Sequence, residues 1–272
     1  MKRFLIAAAI VVVVIGLVVG VRRWIHHAQL ELVPVLVVPG EDTHAVVDPP
    51  PSAIASRMML DVRDALSPPT RPRLAVLTFD DGPYPVETPA LADELAQLHV
   101  PADFFLIGRD AQRQPAIAKR LAVLGNETGN HTMTHPEMSK LTYAEQLAEV
   151  DDGATAVRKV TGRIVTYFRP PHGNYDEDTI KAALDTGETV ALWDDDPGDW
   201  RTLSADEITK IAVEQARAPV VILLHNGKDA TIDALPGIVT AFRRAGYRFV
   251  TLSELQKDLP VDEINDPIKV SL

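Results

Sequence analysis

Two carboxylates stand side by side in "TFDDGP", residues 78–83, and two histidines stand four apart in "HTMTH", residues 131–135. Adjacent like charges repel and are expensive to bury, so Asp80 and Asp81 need a reason to share what reads as a strand end. A cation would supply one. Two imidazoles and one carboxylate around an open position form a recurring catalytic metal geometry. His131, His135 and one of the two aspartates carry those donor types, which leaves the other aspartate free to act as a base. The chain has no cysteine, so any ligand or nucleophile must come from Asp, Glu, His, Ser, Thr or Lys. Taken alone, "DDGP" reads as well as an acidic turn, and H-x-x-x-H as a surface pair. Pro136 disfavours helix at His135, which places the histidines on a single turn or a loop.

Three further clusters follow apolar runs. His225 ends "VVILLH" (220–225), Arg169 follows "VTYF" (165–168), and Asp194, Asp195 and Asp196 follow "TVALW" (189–193), with Asp199 and Trp200 just beyond. A histidine at the end of an apolar run is often structural. One paired with a carboxylate stays protonated to higher pH and can serve as a general acid. Arg169 can hold a carboxylate ionised through a bidentate pair. Trp193 reads as core, whereas Trp200, in a polar context, is placed to line a groove and pack on a sugar face.

These positions gain meaning from the elements around them. From Leu74 onward, short apolar runs at 74–79, 102–108, 165–168, 189–193, 220–225 and 248–252 alternate with helical patterns near 87–98, 112–124, 142–160, 176–186, 204–217 and 233–245. Ser204 with Glu207 has the spacing of a capping box, and Gly246 lies just past a helix ending in Arg243 and Arg244. Alternation of this kind, with continuous apolar strands, predicts an α/β protein with a parallel sheet covered by helices. Active sites of such proteins gather at the carboxyl ends of the strands, where the polar residues above fall.

Residues 4–21 contain no charged and no polar side chain. As a helix they would reach about 27 Å, close to the apolar thickness of a bilayer. Lys2, Arg3, Arg22 and Arg23 flank them, and no small-residue cleavage pattern follows. An uncleaved transmembrane anchor at 1–27 is expected, with a cleaved secretory signal as the alternative. Basic residues at both ends leave the positive-inside rule almost silent; a short N-terminus retained in the cytoplasm would put the body outside the membrane. Eight of the 21 prolines lie in residues 28–72, so 28–71 reads as a linker or collar. The catalytic body is expected at 72–258 and a tail at 259–272. Four of the 27 basic residues and none of the 38 acidic ones precede residue 28, so the remainder carries 23 against 38, a net charge of −15. That surface argues against a nucleic-acid partner.

The motifs, in order, resemble those of the polysaccharide deacetylases of carbohydrate esterase family four: "TFDDGP" (78–83), "HTMTH" (131–135), "RPPHG" (169–173), "DPGDW" (196–200) and "ILLHN" (222–226). The resemblance covers roughly residues 72–258. It implies a distorted, incomplete (β/α) barrel of parallel strands and metal-dependent removal of N-acetyl groups from sugars. It further implies Asp81, His131 and His135 as metal ligands, for zinc first, with cobalt, nickel or manganese as alternatives. Asp80 would be the base, His225 the acid, Arg169 the partner that tunes Asp80, and Asp199 the partner of His225. Trp200 and Leu223 would shape a slot for the acetyl methyl. The backbone N–H that follows Pro171 would face the oxyanion. Two departures stand out: His172 replaces the usual Tyr of the third motif, and Asn226 the common Asp after the fifth-motif histidine. The expected activity is N-deacetylation of N-acetylglucosamine in a cell-wall or surface polysaccharide, peptidoglycan before chitin-type oligomers. The alternatives are an O-acetyl esterase acting on xylan or another glycan, and a membrane-anchored, non-catalytic glycan-binding protein.

Overall fold

In a computed structural model of the chain, residues 73–258 are described. The expected membrane helix, linker and tail lie outside them, as do the strand and helix that residues 33–38 and 52–66 could form. β1 (Leu74–Asp80) is central. β2 (Ala102–Leu106), β3 (Glu127–Asn130), β4 (Tyr167–Phe168) and β5 (Thr189–Val190) follow on one side and β6 (Val220–His225) on the other, giving the order β5-β4-β3-β2-β1-β6. β7 (Arg248–Phe249) pairs with Leu74 and Ala75, and every pairing is parallel. Beyond β5 the chain meets β6 again through a single parallel bridge, Asp195 to Ile222. The parallel sheet is as the alternating pattern predicts, and its rolling into a distorted, incomplete barrel is as the resemblance implies.

Side-chain alternation along β1 builds both layers. Ala75, Leu77 and Phe79 face the covering helices, with Phe104, Leu106, Ile222 and Leu224. Leu74 and Val76 face inward with Phe105, Val221 and Leu223. By the same alternation Thr78 and Asp80 point inward, which lets a polar site form at the top of an apolar core. The helices are α1 (Glu87–Leu98), α2 (Gly108–Arg113), α3 (Pro115–Val123), α4 (Tyr143–Thr161), α5 (Glu177–Thr186), α6 (Ala205–Gln215), α7 (Asp229–Arg244) and α8 (Leu252–Asp258). The Ser204–Glu207 capping box is present on α6, and Gly246 turns left-handed at φ 85° beyond α7.

Three differences from the expected elements have physical causes. The helix expected at 112–124 is two helices, because Pro115 lacks an N–H and drives Gln114 out of helical geometry (φ −123°, ψ 54°). β3 is read as "ETGN", which has no apolar signature; its partners β2 and β4 make it a strand. Residues 252–258, whose start reads as the tail of the last strand, form α8. Its first N–H groups, from Leu252 and Ser253, donate to Asp103 and Glu127 at the lower ends of β2 and β3, so the helix closes the bottom of the barrel.

Asp194 and Asp195 are structural. An oxygen of Asp194 accepts the Val221 N–H at 2.8 Å. Asp195 has no exposed surface, and neither carboxyl oxygen has a hydrogen-bond partner among the described residues. Its bridge to Ile222 directs it toward the apolar layer that also holds Ile208 and Ala212. Burial, then the charges of Asp196 and Asp194, push its pKa up to about 8. A carboxyl raised in the folded state adds stability fully below its unfolded value, near 3.8, and loses that contribution as pH rises toward 8. Asp195→Val is therefore expected to stabilise the fold by about 2 kcal/mol at pH 8, with the gain shrinking toward pH 4. Urea unfolding at several pH values reads this, and a gain independent of pH would contradict the cause.

Candidate active site

The upper ends of the strands bring the expected residues together. β1 ends in Asp80; Asp81 follows with φ 75° and turns its side chain off the strand line. β3 ends at Asn130, and the loop after it holds both histidines. Thr132 and His135 adopt left-handed backbone, φ 66° and 63°, so the pair sits on a loop, as Pro136 predicts. Thr132 fastens that loop: its hydroxyl donates to the His131 carbonyl at 2.6 Å and accepts the His135 N–H at 2.9 Å.

One ligand atom each from Asp81, His131 and His135 falls within 4.8 Å of the others. Asp81 Oδ1 is 3.4 Å from His135 Nε2 and 3.8 Å from His131 Nε2. His131 Nδ1 lies 2.7 Å from the Arg169 carbonyl; as a donor to it, the ring presents its unprotonated Nε2 to the site, as a metal requires. Burial, outweighing the Asp81 charge, lowers the His131 pKa to about 3 and keeps that ring neutral. Asp80 also approaches His131, at 3.8 Å through Oδ2, but its Oδ1 is committed to Arg169. The donor set fits one divalent cation on Asp81, His131 and His135.

Arg169 is wholly buried, and each of its side-chain nitrogens has a partner. It reaches Asp80 Oδ1 at 2.7 Å, Thr78 Oγ1 at 2.8 Å, and the carbonyls of Ala191 and Leu192 at 2.9 and 3.1 Å. Its guanidinium lies over the Phe105 ring, 4.1 Å from the centroid. Burial raises the Asp80 pKa, opposed first by Arg169 and then by His225. A carboxylate both held and raised is a better base than a free one.

On the other side, Asp199 grips His225 twice, accepting its backbone N–H and its Nδ1–H, both at 2.7 Å, and accepts the Thr231 hydroxyl at 2.6 Å. Burial alone would lower the His225 pKa. The Asp199 hydrogen bond and charge outweigh it, with help from Asp80 and Asp81, and hold the value at about 9. The same contacts outweigh burial at Asp199 and keep its pKa low.

The remaining expected residues surround this centre. Pro171, His172 and Gly173 form a tight turn after β4, with His172 in left-handed backbone at φ 60°. The exposed His172 ring packs edge-on against His135 with centroids 4.9 Å apart, so the substitution for tyrosine does bring a third imidazole to the site. Leu223 is buried in the inner layer, and Trp200 is 53 % exposed. Trp193 is buried beneath Gly173, where a Cβ would stand 2.6 Å from its ring, and is core as expected. Several supporting residues escape sequence reasoning. Thr78, Thr132 and Thr231 are common polar residues whose roles depend on distant partners. Asn130 donates to the Val150 carbonyl and Glu188 and accepts the Arg169 N–H on its own carbonyl, which ties the strand end before His131 to α4 and β4.

Residues 67–191 match the family model described as polysaccharide deacetylase. A peptidoglycan-N-acetylglucosamine deacetylase of Bacillus cereus is 35 % identical over 192 residues, 69 % of this chain and 90 % of that protein. A chitooligosaccharide deacetylase of a Bradyrhizobium species is 33 % identical over 198 residues, 67 % of this chain and 90 % of its own length. The solved structure of the peptidoglycan deacetylase PdaC from Bacillus subtilis superposes with a TM-score of 0.64 at 33 % identity, covering 69 % of this chain and 91 % of that one. With the ordered motifs, the rolled parallel sheet and these relatives in agreement, the chain belongs to the polysaccharide deacetylases of carbohydrate esterase family four.

Proposed function

We propose that the protein hydrolyses the N-acetyl group of N-acetylglucosamine units in a cell-wall or surface polysaccharide, peptidoglycan first and chitin-type oligomers second. One observation carries the reading: a metal-type donor set, an arginine-held carboxylate and a carboxylate-held histidine gather at one end of the sheet, with Asp80 and His225 in register on β1 and β6, so base, electrophilic centre and acid share one site. A divalent cation on Asp81, His131 and His135, zinc first and cobalt, nickel or manganese otherwise, would acidify water and polarise the acetyl carbonyl. Asp80, oriented by Arg169, accepts the proton of the attacking water. The backbone N–H of His172 faces the developing oxyanion. His225, whose Nδ1 is engaged by Asp199, delivers a proton from Nε2 to the leaving amine. Trp200 and Leu223 bound the slot for the acetyl methyl.

The raised His225 pKa favours an amide over an ester, because an amine leaves only when protonated whereas an alcohol depends on this less. All the expected catalytic positions are filled, which disfavours a purely glycan-binding role. The anchor expected at residues 1–27 would hold the enzyme in the cell membrane with its catalytic body outside, beside the wall glycan. The test is acetate release by the full chain from peptidoglycan, N-acetylglucosamine oligomers and acetylated xylan, with each of the four metals added. Release from the first two well above the third is expected. Release from xylan alone would establish the esterase reading, and metal binding without acetate from any glycan would sink both.

A further inference from the structure

Tyr84 lies outside the five motifs, yet the structure builds a seat for it beside Asp81. Its ring rests on two glycines. A Cβ on Gly227 would stand 2.6 Å from both Cδ2 and Cε2 of the ring, and a Cβ on Gly82 would stand 3.1 Å from Cδ2. Both glycines have positive φ, 88° and 69°, so the backbone that supports the ring is one that only glycine adopts without strain. The loop behind is tied as well. The Tyr84 N–H donates to Thr88 Oγ1 at 2.7 Å, and the Thr88 hydroxyl donates to Asn226 Oδ1 at 2.8 Å. The Asn226 N–H in turn donates to the Asp80 carbonyl at 2.8 Å. Asn226, the residue that departs from the common pattern, thus couples the base-bearing strand end to the Tyr84 loop. Burial and then the Asp81 charge raise the Tyr84 pKa, which agrees with a position close to the cation site. Tyr84 nevertheless remains 36 % exposed.

An aromatic ring seated against glycine backbone on one side, with about a third of the residue open to solvent, offers a platform for the apolar face of a pyranose, and its order is settled before binding. We infer that Tyr84 forms a stacking subsite for a sugar unit next to the one that is deacetylated, so that the enzyme prefers chains of several residues. The inference rests on the glycan reading above. Tyr84 and Trp200 then offer two separate aromatic contacts at the site, Trp200 for the reacting unit and Tyr84 for its neighbour.

The experiment compares the wild-type protein, Tyr84→Ala and Tyr84→Phe on N-acetylglucosamine itself and on its pentamer, by acetate release and by calorimetric binding of the pentamer. Tyr84→Ala is expected to raise KM and weaken binding for the pentamer about tenfold, to leave kcat within about twofold, and to leave the monomer, which cannot reach the neighbouring subsite, unaffected by comparison. Tyr84→Phe, which keeps the ring, is expected to match the wild type. Equal losses on monomer and pentamer, or no loss on either, would overturn the subsite. If the wild type released no acetate from either substrate, the deacetylase reading would fail. The pentamer-binding comparison would still decide the platform: weakened by Tyr84→Ala it stands, unchanged it falls.

Discussion

Asp80→Asn is expected to keep the cation and lose the reaction, whereas Asp81→Ala is expected to lose both. Asp81 reaches both histidines, at 3.4 and 3.8 Å, while Asp80 reaches only His131 and spends its other oxygen on Arg169. An asparagine at position 80 can still accept from Arg169, which also keeps Thr78 and two backbone carbonyls as partners. The fold and the donor set should therefore survive. The amide cannot accept a proton from water, and loss of a positioned base lowers kcat by about 10²–10⁴. Metal affinity by competition with a chelator, alongside kcat on an N-acetylglucosamine oligomer, separates the two variants. Equal loss of metal from both would overturn the assignment of base and ligand, and full activity in Asp80→Asn would remove Asp80 from the chemistry.

The same pair shows why the site was legible in the sequence. Metal ligation and proton transfer need particular side chains, and a parallel sheet delivers its carboxyl ends to one place. Asp80, His225 and Arg169 could therefore be grouped from the ends of apolar runs alone, and the capping box at Ser204 and the glycine after α7 could be read locally. What stayed hidden depends on partners far away in the chain. β3 is held as a strand by β2 and β4, not by its own residues. Asn130 meets Val150 and Glu188, and Thr231 meets Asp199, only once the sheet has rolled. The triplet Asp194, Asp195 and Asp196 looked like part of one polar strand end, but the barrel closure uses Asp194 to cap a backbone N–H of β6 and buries Asp195 without a partner among the described residues. Composition cannot distinguish a carboxylate that faces the site from one that faces the helices; the bridge to Ile222 decides it.

The acid side of the reaction gives the other large effect. Asp199→Asn is expected to move the alkaline limb of kcat/KM down by about 1–2 pH units. As the proposed acid, His225 would work only while protonated, so activity should fall as pH rises through its pKa. That pKa stands at about 9, against a burial that acts to lower it, because Asp199 supplies a hydrogen bond and a charge ahead of the contributions from Asp80 and Asp81. A cation on Asp81 would cancel part of the two smaller contributions and leave the Asp199 share in place. Removing that share lets burial act on a neutral neighbour, so the proton is lost nearer neutrality. At low pH, where His225 is protonated in either protein, the variant should recover much of its rate. Asp199 also accepts the His225 N–H and the Thr231 hydroxyl, and a purely structural role would lower activity evenly without moving the limb. His225→Gln provides the endpoint. It lacks the proton at every pH, and it should lose the alkaline limb together with about 10²–10⁴ of the rate on an N-acetyl substrate. Because an alcohol leaves more readily than an amine, the same variant should lose much less on an O-acetyl ester. An equal loss on both would mean that His225 positions the substrate and does not protonate the leaving group.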